Sequence, residues 1–203
     1  MNKKIQTRKG ILFIISGPSG VGKGTVRERV LEDIPDLLFS VSVTTRKRRP
    51  HEIEGKDYIF IDKPRFEQMI ENGELLEWAL VYDNYYGTPR AFIENALREG
   101  KDVLLEIDIQ GAQKVKKEYP DAVSIFLAPP SIEELINRLK KRATETEEEF
   151  RKRIEKAEKE MREAIHYDYL VINDKIDNAI MQVKCVILAE RVKIVKVKEG
   201  EKR

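Results

Sequence analysis

Three features of the chain predict an α/β fold on a parallel sheet. Apolar runs of four or five residues recur, helical stretches separate them, and a glycine-rich turn joins the first run to the first helix. Strands linked by crossover helices produce this alternation.

Ile11 to Ile15 is apolar at every position, which suits a strand buried on both faces. A helix is expected from Thr25 to Asp33, stopped before Pro35. Val103 to Ile107, Val123 to Leu127 and Tyr169 to Ile172 repeat the strand pattern. Arg90 to Arg98, Ala112 to Lys117 and Thr146 to Ile165 read as helices between or beside them. Pro129-Pro130 ends the third strand, and Ser131 is a suitable N-cap for a helix over Ile132 to Lys141. On the stretch Thr146 to Ile165, an apolar stripe joins Phe150, Ile154, Ala157, Met161 and Ile165. The Lys and Glu residues around it are expected to face solvent. Ile176 to Ala189 is a further amphipathic helix, and a charged tail follows Glu190.

The stretch from Phe39 to Tyr86 breaks the alternation. Its β-rich pieces, Ser40 to Thr44, Tyr58 to Ile61 and Leu75 to Tyr82, flank a small helix, Arg65 to Glu71. It reads as an inserted subdomain with its own mixed sheet.

The 203 residues, 41% hydrophobic, are enough for one domain with a buried core. With 38 basic and 36 acidic residues the net charge is only +2, so no nucleic-acid partner is expected. The apolar runs are too short to span a membrane, so no membrane partner is expected either. Cys185 is the single cysteine, which rules out an intrachain disulfide and suits the cytoplasm. Among Val183, Val186 and Ile187 its thiol is expected to be buried.

The turn carries the first chemistry. Gly17-Pro18-Ser19-Gly20-Val21-Gly22-Lys23-Gly24-Thr25 fits G-x-x-x-x-G-K between a strand and a helix. Such a loop curls so that backbone N–H groups point at phosphate oxygens, and the helix N-terminus adds its positive end. Lys23 is placed to reach the outer phosphates of ATP. Gly24 stands where the usual pattern has a Ser or Thr that ligates Mg²⁺. The Mg²⁺ that accompanies ATP is therefore expected to be held mainly by nucleotide and water, and no metal ligand is assigned.

Further motifs follow in order: Ser40-Val-Ser-Val-Thr-Thr-Arg-Lys-Arg-Arg-Pro50, Glu54-Gly-Lys-Asp-Tyr58, Glu77-Trp-Ala, Asn84-Tyr-Tyr-Gly-Thr88 and Glu106-Ile-Asp-Ile-Gln-Gly111. With Ile125 to Ser131 and Val171 to Asp174, this set resembles the guanylate kinase family over about residues 10 to 190. The resemblance implies a P-loop NTPase-type core (10–38 and 89–190), a GMP-binding subdomain (39–88), a helical lid (about 138–153) and a tail (191–203). It also implies transfer of a phosphoryl group from ATP to GMP, giving ADP and GDP.

Arg46, Arg49, Tyr58 and Tyr86 would hold the GMP phosphate, since guanidinium forks grip phosphate in pairs. Glu77 would read guanine, whose adjacent N1–H and N2–H₂ donors suit a carboxylate, with Ser42 and Thr88 as further base contacts and Thr88 facing O6. Asp108 would stand beside GMP and the metal. Glu106 replaces an Asp common in the family. Lys23, Arg46, Arg138, Arg142 and Arg153 are the expected catalytic cations, the last three from the lid. Asn173 and the lid helix are the expected neighbours of adenine, and His51 and His166 need no role. Two alternatives stay open: a non-catalytic guanylate-kinase-like module that binds phosphopeptides, and a related kinase with another acceptor.

Overall fold

The structure is a computed structural model that describes residues 9–50, 52–81, 83–141 and 147–194; the side chains of Lys141, 147–150, Lys152 and Arg153 also lie outside the description. The chain opens with strand β1 (Leu12–Ser16), helix α1 (Lys23–Asp33) and a short strand β2 (Leu38–Phe39). A second group follows: β3 (Val43–Thr44), β4 (Ile59–Phe60), α2 (Lys63–Glu71), β5 (Leu75–Val81) and β6 (Asn84–Pro89). Then come α3 (Arg90–Arg98), β7 (Val103–Glu106), α4 (Ile109–Glu118), β8 (Val123–Ala128), α5 (Ile132–Lys141) and α6 (Glu147–Arg162). A 3₁₀ turn (Glu163–His166), β9 (Tyr169–Ile172) and α7 (Ile176–Val192) complete the described elements.

Among the described residues, β2-β7-β1-β8-β9 form one sheet in that order, and every pairing in it is parallel. Alternation along β1 builds a core on each face. Leu12 and Ile14 pack with Ile93, Leu97, Leu105 and Val115. Phe13 and Ile15 pack with Val26, Val30, Val183 and Ile187 on the other side. Helices thus cover both faces, as the uninterrupted apolar runs require. Truncating Phe13, which is fully buried, to Ala would cost about 3–5 kcal/mol.

The second sheet, β4-β3-β6-β5, is mixed. Strand β3 runs parallel to β4 and antiparallel to β6, and β5 and β6 form a hairpin. Val43, Leu75 and Phe66 of α2 give it a small core of its own.

Several expectations are corrected. The parallel sheet has a fifth strand, because Phe39, expected in the insert, pairs with Leu104 beside Leu38 and Val103. Asn84–Pro89, read as a motif, is a strand. Helix α1 begins at Lys23 because Gly22 turns the backbone into the left-handed region just before it, at φ 99°. Ile165 leaves the apolar stripe: α6 stops at Arg162, and the 3₁₀ turn swings this side chain to 83% exposure. Cys185 is exposed, not buried. On α7 the core-facing positions are Ala179, Ile180, Val183 and Ile187; each step along a helix rotates about 100°, so Cys185 lands on the far side.

Candidate functional site

The carboxyl ends of β1 and β7, the glycine-rich loop, the mixed sheet and one turn of α6 enclose a cleft of about 220 Å³. Open α/β sheets bind ligands at this edge. The loop can close over β1 because Gly17 adopts φ 146° and presses against the next strand. A Cβ there would lie 2.1 Å from the Leu127 carbonyl oxygen, so no other residue fits. Asn173, buried after β9, holds the loop from behind by donating from Nδ2 to the Val21 carbonyl at 2.7 Å. One N–H of its side-chain amide is thereby held by the loop.

Gly17, Ser19 and Lys23 form one wall of the cleft. The Lys23 ammonium donates to the Gly17 and Pro18 carbonyls at 2.7 and 3.1 Å. Burial lowers its pKa, and Glu106, Glu160 and Asp108 partly oppose that shift. Pro18, Gly20, Val21, Gly22, Gly24 and Thr25 complete the loop and the first turn of α1 behind this wall.

Ser42, Arg49, Tyr58, Glu77 and Tyr86 line the opposite wall, with Ala79 and Val81. Glu77 on β5 is 6% exposed and lies opposite Thr88 on β6. The Thr88 hydroxyl donates to Glu77 Oε1 at 2.6 Å, so its hydrogen is spent on the carboxylate rather than left facing the cleft. Close approach of Glu77 to α4 depends on Gly111, where a Cβ would come within 2.5 Å of Glu77 Oε2. Burial pushes the Glu77 pKa up to about 7; the Thr88 bond pulls it down and Asp108 adds to the rise. Tyr58 is pushed up to about 12, chiefly by burial and then by Glu106, so its hydroxyl stays a donor.

Arg46 lies behind this wall. Its guanidinium donates to both Glu52 oxygens at 2.7 and 3.0 Å and to the Tyr86 hydroxyl at 3.1 Å, and stacks over Tyr58. Burial opposes its charge, but the Glu52 and Tyr86 contacts outweigh that and hold its pKa above the ordinary value. Glu52, which also accepts from the Arg49 backbone N–H at 2.8 Å, was not singled out from the sequence.

Asp108 follows β7 and caps α4, accepting from the Gly111 N–H at 2.8 Å. Its helix therefore starts at Ile109, earlier than expected. Glu106, Ile107 and Asp108 line the floor of the cleft, and Lys156 and Glu160 of α6 close it. These last two correct the expectation that all Lys and Glu of α6 face solvent. Burial raises the Glu160 pKa, against the pull of Lys156 and Lys23. Arg138 is outside the lining and is bonded to Glu134 Oε1 and the Asn173 carbonyl, each at 3.0 Å. Arg142, the expected lid segment Ala143 to Thr146 and His51 lie outside the described residues, as does the side chain of Arg153.

A parallel sheet with a glycine-rich turn at its carboxyl edge, facing an acid-bearing wall on a second sheet, defines an α/β nucleotide-binding protein. Residues 9–190 match the family model described as guanylate kinase. The guanylate kinase of Syntrophomonas wolfei is 51% identical over 187 residues, 92% of this chain and 96% of that one. That of Oceanobacillus iheyensis is also 51% identical, over 91% of this chain and 90% of that one. The crystal structure of guanylate kinase from Anaplasma phagocytophilum superposes with a TM-score of 0.78 at 36% identity, covering 92% of this chain and 89% of that one. The chain belongs to the guanylate kinase family.

Proposed function

We propose that this chain moves the γ-phosphoryl group of ATP onto GMP, giving ADP and GDP, in the purine nucleotide metabolism of the cytoplasm. One observation carries the reading: a buried carboxylate, Glu77, faces across a single cleft the loop that bears Lys23. A carboxylate accepts from guanine N1–H and N2–H₂ together, whereas adenine would set a bare N1 lone pair against it. Such a mismatch in a dry pocket discriminates by about 10⁴-fold or more.

The acceptor unit in this reading is 39–88. Ser42 and Thr88 support the base-reading wall, and Arg46, Arg49, Tyr58 and Tyr86 take the GMP phosphate, which is already an anionic nucleophile. The loop from Gly17 to Thr25 wraps the ATP phosphates, and Lys23 offsets charge on the moving group. Transfer breaks the bond from γ-phosphorus to the β–γ bridging oxygen, whose electron pair leaves with ADP, while a GMP phosphate oxygen bonds to phosphorus. The segment 138–153 is the lid over a core of 10–38 and 89–190. Arg138 exchanges Glu134 and Asn173 for phosphate, and Arg142 and Arg153 join it, so water is excluded as both substrates close the cleft.

The residues at the cleft floor fit a magnesium ion. Glu106 Oε2 is buried and accepts no well-directed hydrogen bond, with Arg27 Nη1 lying 3.2 Å away, and carboxylate oxygen is the donor this hard cation prefers. Glu106 and Asp108 would face Mg²⁺ held otherwise by phosphate and water, where it supplies positive charge to the β- and γ-phosphates. Because Lys23 is in place in the loop, a module without activity is the weaker alternative.

The test is ATP consumption by the purified chain against a panel of GMP, dGMP, AMP, CMP and ribose phosphate. GMP should support turnover by a wide margin over AMP. Equal rates with AMP, or no consumption with any acceptor, would overturn the proposal.

A further inference from the structure

The sequence reading passed over Arg27, one helical turn beyond Lys23 on α1. It is a charged side chain at 8% exposure, and a cation in such a place is held there by its partners. Those partners come from the cleft floor and from the acceptor unit. On the donor side, Nη1 lies 3.2 Å from Glu106 Oε2 at the end of β7. On the acceptor side, Nη2 lies 3.8 Å from Asp57 Oδ1, in the residue next to Tyr58. The guanidinium also lies over the ring of Phe39, 4.7 Å from its centroid, where the chain leaves the parallel sheet for the mixed one. Glu28 of its own helix takes a remaining N–H at 3.1 Å.

Glu106 in turn belongs to the donor side. Its two carboxylate oxygens lie 4.0 Å from the point where a Cβ on Gly24 would be. It is also the largest charge partner of Lys23. One fork is thus shared between a carboxylate that faces the loop and a carboxylate carried by the acceptor unit. The Asp57 contact is the longer and more exposed of the two. A shift of the acceptor unit by an ångström changes how much of the guanidinium is left for Glu106.

Resting on the functional reading above, we infer that Arg27 is a positioning residue that couples the two nucleotide sites. Acceptor binding moves Asp57 against Arg27, and Arg27 resets Glu106 beside Gly24 and Lys23. By linkage the coupling is reciprocal, so ADP tightens GMP by the same factor that GMP tightens ADP.

Calorimetry of GMP binding with and without saturating ADP and Mg²⁺ measures this factor directly, in an arrangement that transfers no phosphoryl group. The wild-type factor is expected at about 5-fold or more, the lower end for such couplings. Arg27→Met and Asp57→Asn should each bring it to about 1, while each nucleotide alone keeps its affinity within about threefold. Arg27→Lys, which keeps the charge and loses the fork, should retain part of it. A merely structural role would weaken both nucleotides singly and leave the ratio intact. Asp57 is partly exposed, so Asp57→Asn decides the matter if Arg27→Met does not fold. An unchanged factor in Asp57→Asn overturns the inference, as does a wild-type factor of 1 with both nucleotides bound. If the wild type binds neither nucleotide, the functional reading falls first and this inference with it.

Discussion

The Thr88 hydroxyl donates to Glu77 Oε1 at 2.6 Å between two neighbouring strands, and both residues are buried. The bond favours the ionised form, burial disfavours it, and burial wins, leaving Glu77 at about 7. Guanine needs the ionised form. Guanosine affinity should therefore fall as pH drops below about 7 and level off above it, whereas a carboxylate with its ordinary value of 4.5 would show no limb there. Guanosine is the right probe because it lacks the phosphate, which titrates near 6. Thr88→Val removes the bond and should move the limb to higher pH, with guanosine about 10-fold weaker at pH 7. Titrations from pH 5.5 to 9 on both proteins check this. A flat wild-type profile would mean that Glu77 does not touch the base.

The same carboxylate destabilises the fold at neutral pH. Its folded pKa lies above the 4.5 of the unfolded chain, so the folded state binds the proton more tightly. Stability then falls as pH rises between 4.5 and about 7. Fully developed, that gap corresponds to on the order of 3 kcal/mol. Glu77→Gln should be more stable than wild type at pH 8, and the difference should vanish near pH 4. It should also cut the preference for GMP over AMP by about 10²-fold or more, because the amide replaces an acceptor with a donor. Denaturant curves at the two pH values, with acceptor kinetics at pH 8, measure both effects. A more stable variant with its preference intact would separate the buried acid from base choice.

Lys23 is held back in the free protein by two carbonyls of its own loop. That arrangement satisfies a buried ammonium until phosphate oxygens replace the carbonyls. Lys23→Met keeps the length and loses the charge. It should lower kcat by about 10²–10³-fold, the scale of one lost transition-state donor. GMP affinity, which belongs to the other wall, should hardly change. A loss confined to KM for ATP would assign Lys23 to ground-state binding instead.

What was legible in the sequence was local. Gly17 to Thr25 announces its turn because loop geometry and phosphate chemistry both lie within nine residues. The strands β1, β7 and β8 announce themselves because burial on both faces leaves few polar positions in them, Ser16 and Glu106 at the tips of β1 and β7 and Ser124 in β8; β9 shows the same apolar run although Leu170 and Ile172 are exposed. Glu77 was legible only through the spacing of its motif, since one acid on a strand carries no signal that its pocket is dry. Arg27 was invisible because Phe39, Asp57 and Glu106, the partners that make it unusual, come from three other parts of the chain. Lys156 and Glu160 were misplaced because a charged helix face reads as solvated until the loop it covers is known. Cys185 and Ile165 failed for a related reason: nearness in sequence says little about which way a helix face points, or where a helix stops.

Helix α7 is fastened far from the cleft, at the entries to the parallel strands. Asp102, just before β7, is 3% exposed. One of its oxygens accepts from the Ile11 N–H at 2.8 Å and the other from Arg191 Nε at 2.8 Å. Arg191 also pairs with Asp36 at 3.2 Å, so one guanidinium near the end of α7 clamps the entries to β1, β2 and β7. Asp102→Ala leaves a nearly buried Arg191 without its inner partner and a backbone N–H without an acceptor. Breaking such a pair costs about 3–5 kcal/mol, reduced here because Arg191 keeps Asp36 and some contact with water. Asp36 is mostly exposed, so Asp36→Ala should cost under about 1 kcal/mol. Both variants should keep wild-type kcat at temperatures where they are folded. Urea unfolding with kinetics at 25 °C distinguishes the outcomes. A loss for Asp36→Ala as large as that for Asp102→Ala would mean that the outer pair, not the buried one, fastens the helix.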